Sequence, residues 1–532
     1  MKKYRFFMIL SGAALLSIVG CTDLDDKVLD RISADDLSGI AKQLEPASAL
    51  QSVYAQLNPL TDQANVYAMQ EHPTDEMVGP TRGTDWSDFG TWRRLHQHSW
   101  DATHNQVVSA WDILNIGVFR ANQAIYFAAN NTQIKAEASF LRAFFMFQII
   151  DLYGQVPFRE VTDDPISVPK VFTRSEAFDF MINDLEFALN NLSENTPGKA
   201  TPNAARALLA KAYLNKAVYK QDPNNPAGPF TFDPADMNKA IEYCNAIINS
   251  GDYELTDYFD NFHWENSTRS KELIFVIANT EGSPVGTVQN RYFMTLHYYQ
   301  PLNGGGWNGF TTLADFYDSF ESADKRRGAS IPGMTDKFGM NAGFMVGQQY
   351  VVRDGQTVAL KDRGGKPLDF TKDVDILYSN ERRGIRVLKY FPEPIENPDA
   401  SNASKPEAPD FLNAPNPGTD YIFLRYADVL LMKAEAILRG GTGDVTALSL
   451  VNELRASRGA STLSSLDEAT LLAERGRELY WEGWRRNDMI RFGAFLKPFD
   501  QKSTTSPAHV VVFPIPQRAL DTNPNLKQNV GY

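Results

Sequence analysis

The chain has 532 residues, 43% hydrophobic and 22% charged, which is the balance of an ordinary globular body with ample material for a core. Its formal charge is −13, and removing Lys2, Lys3 and Arg5 makes it three charges more negative, which argues against nucleic acid or an anionic membrane surface as partner. Beyond the first twenty residues no apolar run approaches the roughly twenty residues a membrane span needs.

In chain order, the first element is a leader. Lys2, Lys3 and Arg5 precede an apolar run from Phe6 to Val19, broken by Ser11 and Ser17, and then Gly20-Cys21. That is the pattern of a secretory signal over residues 1–20. Leu16-Ser17-Ile18-Val19-Gly20-Cys21 resembles the lipobox of bacterial lipoproteins, which implies acylation of Cys21 and a body held to a membrane by lipid. Residues 21–40 then read as anchor and acidic tether, similar to the surface-export signals of some outer-membrane lipoproteins. With Cys21 lipidated, Cys244 has no disulfide partner, and its helical surroundings predict a small buried hydrophobe.

Residues 41–251 read as a helical scaffold. Apolar spacing predicts helices over Gln106–Asn130 and Gln133–Tyr153. Thr173-Arg174-Ser175-Glu176 is a capping box opening a helix from Ala177 to Leu192. Thr201-Pro202 and Asp233-Pro234 each place a cap and an N1 proline before further helices, one to Tyr219 and one ending near Gly251. Short connections between such helices suggest a tetratricopeptide-like array without a strict period.

Residues 252–420 are rich in Gly, Pro, Asn and aromatics and read as an irregular insert with one helix at Thr312–Glu321. Seven prolines between 392 and 417 make that stretch loop. Helices return over 421–532, at Leu424–Arg439, Val445–Ser457, Asp467–Glu482 and Asp488–Leu496, followed by an apolar extended segment, Val510–Pro516. The two helical parts are expected to pack as one scaffold, giving a mostly α fold with few short strands.

Catalytic patterns are missing. The chain has no His-Glu-x-x-His, no Gly-x-Ser-x-Gly elbow and no phosphate-binding glycine loop. His96, His98 and His104 lack the carboxylate partner and geometry of a metal site. The charged set Glu474, Arg475, Arg477, Glu478, Glu482, Arg485, Arg486, Asp488 and Arg491 reads as an ion-pair lattice locking the last helices. Glu478 and Glu482 do not suit glycoside hydrolysis, because arginine neighbours keep both ionised and remove the general acid.

Two aromatic loops stand out. One is Gly79–Arg94, with Trp86 and Trp92 among Gly, Thr and Asp. The other is His297–Phe310, with Tyr298, Tyr299, Trp307 and Asn308. Flat rings beside Asp, Asn and Arg groups match the apolar face and hydroxyl rim of a sugar.

Several strings, in order from about residue 50 to the C-terminus, resemble the SusD/RagB family of outer-membrane nutrient-binding lipoproteins. They are Arg142-Ala143-Phe144-Phe145 with Tyr153-Gly154-Gln155-Val156-Pro157-Phe158, Tyr421 to Ala436, Val451-Asn452-Glu453-Leu454-Arg455, Glu474 to Leu479 with Glu482-Gly483-Trp484-Arg485-Arg486, and Phe513-Pro514-Ile515-Pro516 with Asn523 to Asn529. The resemblance implies a non-catalytic, cofactor-free surface lipoprotein of the outer membrane. It would capture oligo- or polysaccharide for a SusC-like TonB-dependent transporter. It also implies a site near the aromatic loop after Thr74-Asp75-Glu76, with Trp86, Trp92 and Trp307 as platforms and Arg82, Asp85, Tyr299 and Asn308 as hydrogen-bonding partners. A peptide-binding or purely transporter-gating lipoprotein is the alternative.

Overall fold

Helix starts follow the capping residues. In the computed structural model, Thr173 Oγ1 accepts from the N–H of Glu176 and the Glu176 carboxylate accepts from the N–H of Thr173, so both halves of the capping box open Arg174–Asn191. Thr201 caps Pro202–Tyr219 and Asp233 caps Pro234–Ile248, each with proline where no intrahelical donor is needed. The structure describes residues 45–164, 166–193, 195–279, 290–302, 305–394 and 418–532. The leader, Cys21 and the acidic tether lie outside them, as do Pro398, Pro406, Pro409, Pro415 and Pro417 of the proline-rich stretch.

The long helices pack in chain order: Asn105–Phe127 on Thr132–Leu152, then Arg174–Asn191, Pro202–Tyr219 and Pro234–Ile248. Pro234–Ile248 passes the series across the insert to Tyr426–Leu438, which packs on Ala447–Ser457. The architecture is mostly α and tetratricopeptide-like. Every residue from Ala136 to Leu152 is buried, so that helix runs through the centre and has no polar face. Gly117 lets its neighbour close on it, since a Cβ there would stand 2.6 Å from the Phe145 ring. Ala204, Ala205, Ala207, Ala210 and Ala212 are fully buried and allow the same close approach along Pro202–Tyr219. Cys244 is buried and free, and burial pushes its thiol up, leaving it an inert core group. Among the described residues no helix is long and apolar enough to cross a membrane.

Leu273–Ile277 and Tyr421–Arg425 pair as a buried antiparallel ribbon, with Ile422 opposite Val276, and the strands between them belong to separate sheets. Of these strands, Ala342–Met345 forms the middle one between Gly328–Ala329 and Arg386–Leu388, and Tyr350–Arg353 pairs with Gln356–Ala359 as a hairpin. The expected helix at 312–321 is shorter, Ala314–Asp318.

Three helices precede residue 105 without an expectation for them: Pro46–Ala55, Asn65–Glu71 and Thr91–His96. Val66 to Glu71 are all buried, so that helix has no polar face to produce a period. The segment expected to be extended at 510–516 begins instead as a tight turn, Ala508–Val511, too short for a periodic signature.

The charged set at 474–491 forms a lattice, and most of it is buried. Glu478 accepts from Arg326 (3.1 Å), Arg425 (2.7 Å) and Arg458 (2.9 Å). Glu474 engages Arg326 and Arg455, Asp488 engages Arg475 and Arg491, and Glu482 engages Arg425 and Lys389. Arg326 and Lys389 come from residues 252–420, so the lattice ties that stretch to the C-terminal helices. Burial pushes the Glu478 carboxyl up, but Arg458, Arg425 and Arg326 outweigh it and hold it well below the usual range. A carboxylate so held cannot donate a proton.

Candidate functional site

The loop at 79–94 is stitched to the insert. Val78 exchanges backbone hydrogen bonds with Thr311 (2.9 and 3.0 Å), Thr81 N–H donates to Ile376 O (3.0 Å), and Ser379 N–H donates to Thr81 O (3.0 Å). Arg82 reaches through these strands and donates to the carbonyls of Gly309 (3.0 Å), Arg383 (2.8 Å) and Asn380. Burial lowers its guanidinium to about 9; Nε and Nη1 are spent on these carbonyls, and Nη2 is enclosed without a partner. Asn308 is likewise fully buried, with its Oδ1 accepting from Arg386 (2.8 Å). Arg82 and Asn308 therefore position the loop and offer no group to a ligand, which corrects the expectation for both.

Behind the loop lies an aromatic wedge. Trp86 packs 4.8 Å from Phe310 and 6.3 Å from Trp307, and its indole N–H donates to Trp307 O (2.9 Å). Gly309 makes room for it, since a Cβ there would lie 2.4 Å from Trp86 Cε2. Trp92 packs 4.8 Å from Phe310 and 5.0 Å from His72. It is only 6% exposed, because the short helix Thr91–His96 turns it into the core. The expectation that Trp92 is a platform is thus corrected: it is a support, and its N–H donates to Asp88 Oδ2 (2.5 Å). Trp86, Trp307, Asp85 and Tyr299 are half-buried. Asp85 Oδ2 accepts from Tyr298 Oη (2.7 Å) and stands 3.6 Å from Arg363, whose guanidinium covers the Tyr298 ring at 4.2 Å. Arg363 also pairs with Glu381, which engages His297 Nε2 at 3.0 Å. Burial works against ionisation of Glu381, but the bonds from His297 and Arg363 prevail and hold it at about 2.

In front of the wedge lies an open cleft of about 460 Å³. It is lined by Thr81, Ser87, Asp88, Phe89, Gly90 and Arg93 of the loop and by Leu377 and Tyr378. None of the seven residues expected from sequence lines it. Phe89 is fully exposed and Tyr378 is 76% exposed. Phe89 is held out by a run of left-handed backbone at Trp86 (φ 61°), Asp88 (φ 36°), Phe89 (φ 53°) and Gly90 (φ 80°). Each such non-glycine residue costs about 1–3 kcal/mol, and leaving a phenyl ring in water forgoes about 1.5–3 kcal/mol more. Asp88, Ser87, Thr81 and Arg93 stand beside the rings as polar groups.

The three histidines are held by backbone. His96 lies within hydrogen-bond distance of His72 O, Met77 O and Asp500 O (3.0, 3.1 and 3.0 Å), His98 of Pro73 O (2.8 Å) and His104 of Thr91 O (3.2 Å). Burial pulls His98 down to about 3 and His104 to about 4, so both are neutral. His96 lies at the end of a helix and His98 in left-handed backbone. Among the described residues no group of His, Cys, Asp and Glu could hold a metal.

The molecule is a helical-repeat scaffold carrying a loop-built cleft, and comparison with known proteins gives its family. Residues 406–532 match the model of the SusD family, and residues 29–214 match a family described as starch-binding associating with outer membrane. The starch-binding protein SusD of Bacteroides thetaiotaomicron is 25% identical over 499 residues, 87% of this chain and 84% of that one. SusD-like protein P2 of Formosa agariphila is 24% identical over 576 residues, 100% of each. A SusD superfamily protein from Parabacteroides distasonis superposes with a TM-score of 0.68 at 18% identity, over 92% of this chain and 98% of that one. Surface glycan-binding protein A from Bacteroides thetaiotaomicron, solved in complex with laminarihexaose, superposes with a TM-score of 0.64 at 20% identity, over 91% and 98%. The chain belongs to the SusD/RagB family.

Proposed function

We propose that the protein is a non-catalytic glycan-binding lipoprotein of the outer membrane. Cys21 anchors it facing the cell exterior, and it captures oligo- or polysaccharide and delivers it to a SusC-like TonB-dependent transporter. Residues 41–251 and 421–532 serve as the scaffold, and 252–420 as the insert that supplies the far wall of the cleft. The observation that carries this reading is the pair of exposed rings, Phe89 and Tyr378, across an open cleft with a polar rim. Two relatives add to it by name: one is a starch-binding protein, the other a surface glycan-binding protein holding a glucan oligosaccharide. The chemistry around the cleft supports binding without turnover. Asp88 is its one carboxylate, whereas glycoside hydrolysis uses two carboxyl groups roughly 5–10 Å apart across the bond.

The test is calorimetric titration of the mature protein with a panel of polysaccharides, each mixture then examined for shortened products. Saturable binding with no product is expected. Product release would overturn the non-catalytic reading. Binding of oligopeptides in place of every glycan would favour the peptide-binding alternative. Co-purification of a TonB-dependent transporter with the tagged lipoprotein tests delivery, and its failure in the native membrane would remove that part.

A further inference from the structure

We propose that the cleft selects acidic glycans, with the Arg93 guanidinium pairing a carboxylate or sulfate on the sugar that stacks between Phe89 and Tyr378. The inference rests on the glycan-binding reading above and names the ligand class.

Other arginines around the cleft each hold partners in the protein: Arg82 donates to three carbonyls, Arg386 to Asn308 and nearby carbonyls, Arg94 to Asp101, Arg363 to Glu381, Arg382 to Asp362 and Arg383 to Asp373, and the donors left over on Arg82 (Nη2) and Arg386 (Nε) are enclosed, away from a ligand. Arg93 is the exception. It lines the cleft, it is half-buried, and among the described residues its side chain makes no hydrogen bond, ion pair or ring contact. Its place is nonetheless defined. Gly90, in left-handed backbone, leaves a gap over which the guanidinium folds, and Nη2 lies 3.0 Å from where a Cβ on Gly90 would sit. A planar fork of donors without an acceptor, set beside an exposed phenyl ring, fits a ligand that brings a two-oxygen anion on a ring with an apolar face. Asp88 lines the same cleft but forms no ion pair with Arg93, and its Oδ2 accepts from Trp92. The negative charge of the body as a whole acts weakly here, since charges more than about 8 Å apart are screened at physiological salt.

The test uses matched pairs that differ only in the acid group: oligogalacturonate against its methyl ester, and carrageenan against its desulfated form. Each is titrated into the wild-type protein, Arg93→Gln, and Phe89→Ala/Tyr378→Ala. In the wild type an acidic member should bind at least about tenfold tighter than its neutral match, the ratio for one charge-assisted pair. That preference should fall as NaCl rises from 50 to 500 mM and vanish in Arg93→Gln. Preference for oligogalacturonate alone identifies a uronate, preference for carrageenan alone a sulfate ester. Equal binding of acid and neutral forms, neutral glycans binding where both acidic ones fail, or an unchanged preference in Arg93→Gln overturns the proposal. Full binding retained in Phe89→Ala/Tyr378→Ala, or no glycan bound at all, removes the cleft reading beneath it. Arg93→Lys is the folding control, since it keeps the charge without the fork and should retain part of the preference.

Discussion

Replacing Glu71 by Gln should stabilise the protein at neutral pH and not at pH 4.5. Glu71 and Glu76 are both buried beneath the start of the aromatic loop. Glu71 Oε1 accepts from Gly483 N–H, and Glu76 Oε2 accepts from Trp481 N–H at 3.2 Å, so the two carboxyls clamp one turn. The other oxygens, Glu71 Oε2 and Glu76 Oε1, have no donor, although Arg485 Nε stands 3.5 Å from Glu76 Oε1. A proton shared between the two carboxyls satisfies both. Burial raises Glu71 to about 7 against the pull of its bond from Gly483 and of Arg291 and Lys389, and burial and the Glu71 charge raise Glu76 as well. Below about pH 4.5 folded and unfolded chains both carry the Glu71 proton. Between 4.5 and 7 the unfolded chain has released it and the folded chain has not, so stability falls as pH rises. A carboxyl held at about 7 instead of about 4.5 corresponds to about 3 kcal/mol lost across that window. Glutamine keeps the acceptor for Gly483, donates to Glu76 and does not titrate. Urea denaturation at pH 5, 6, 7 and 8 should show the wild type weakening more steeply than Glu71→Gln, whose remaining slope comes from buried Glu76, with the variant ending up to about 3 kcal/mol ahead. Parallel curves for the two proteins would refute the shared-proton reasoning.

Other changes should act in separable ways. Glu478→Ala leaves Arg326, Arg425 and Arg458 short of a buried counter-charge and should cost about 3–5 kcal/mol in denaturant unfolding; an unchanged midpoint would mean that the lattice is slack. Because Glu478 and Asp488 are held below the usual carboxylate range, their stabilisation is complete at neutral pH and is lost below about pH 4, which an acid titration followed by circular dichroism will register. Gly309→Ala drives a methyl group into the Trp86 indole and should cost about 1–3 kcal/mol while weakening glycan binding; full affinity would separate the aromatic wedge from the cleft. Cys21→Ser should abolish palmitate labelling and release the protein from the membrane fraction, and persistent membrane attachment would contradict the lipid anchor.

Much of the scaffold is legible in the sequence because caps are local chemistry. Thr173 with Glu176, Thr201-Pro202 and Asp233-Pro234 act within three residues of where they stand, and each opens a helix. The lattice is legible in its members but not in its depth, since charges ordinarily mark a surface, and here Arg326, Arg425 and Arg458 are enclosed by partners from distant segments. The cleft is the least legible. The 79–94 and 297–310 loops do come together, as their composition suggests, but Trp92 turns into the core and Trp86 and Trp307, half-buried, pack against it and do not line the cleft. Phe89 reads as a core residue, and only the left-handed backbone of 86–90 turns it outward. Tyr378 carries no signal in its own segment; it reaches the same cleft as Phe89 because Ser379 and Ile376 bond to Thr81, nearly three hundred residues earlier in the chain.

The most direct test of the account is calorimetry of Phe89→Ala/Tyr378→Ala beside the wild type, with whichever glycan the wild type binds. Each ring is exposed in the free protein, so its loss should leave folding intact while removing about 1.5–3 kcal/mol of stacking surface, a tenfold or greater fall in affinity for each. Wild-type affinity in the doubly substituted protein, with unfolding unchanged, would contradict the claim that this cleft is where the protein meets its ligand.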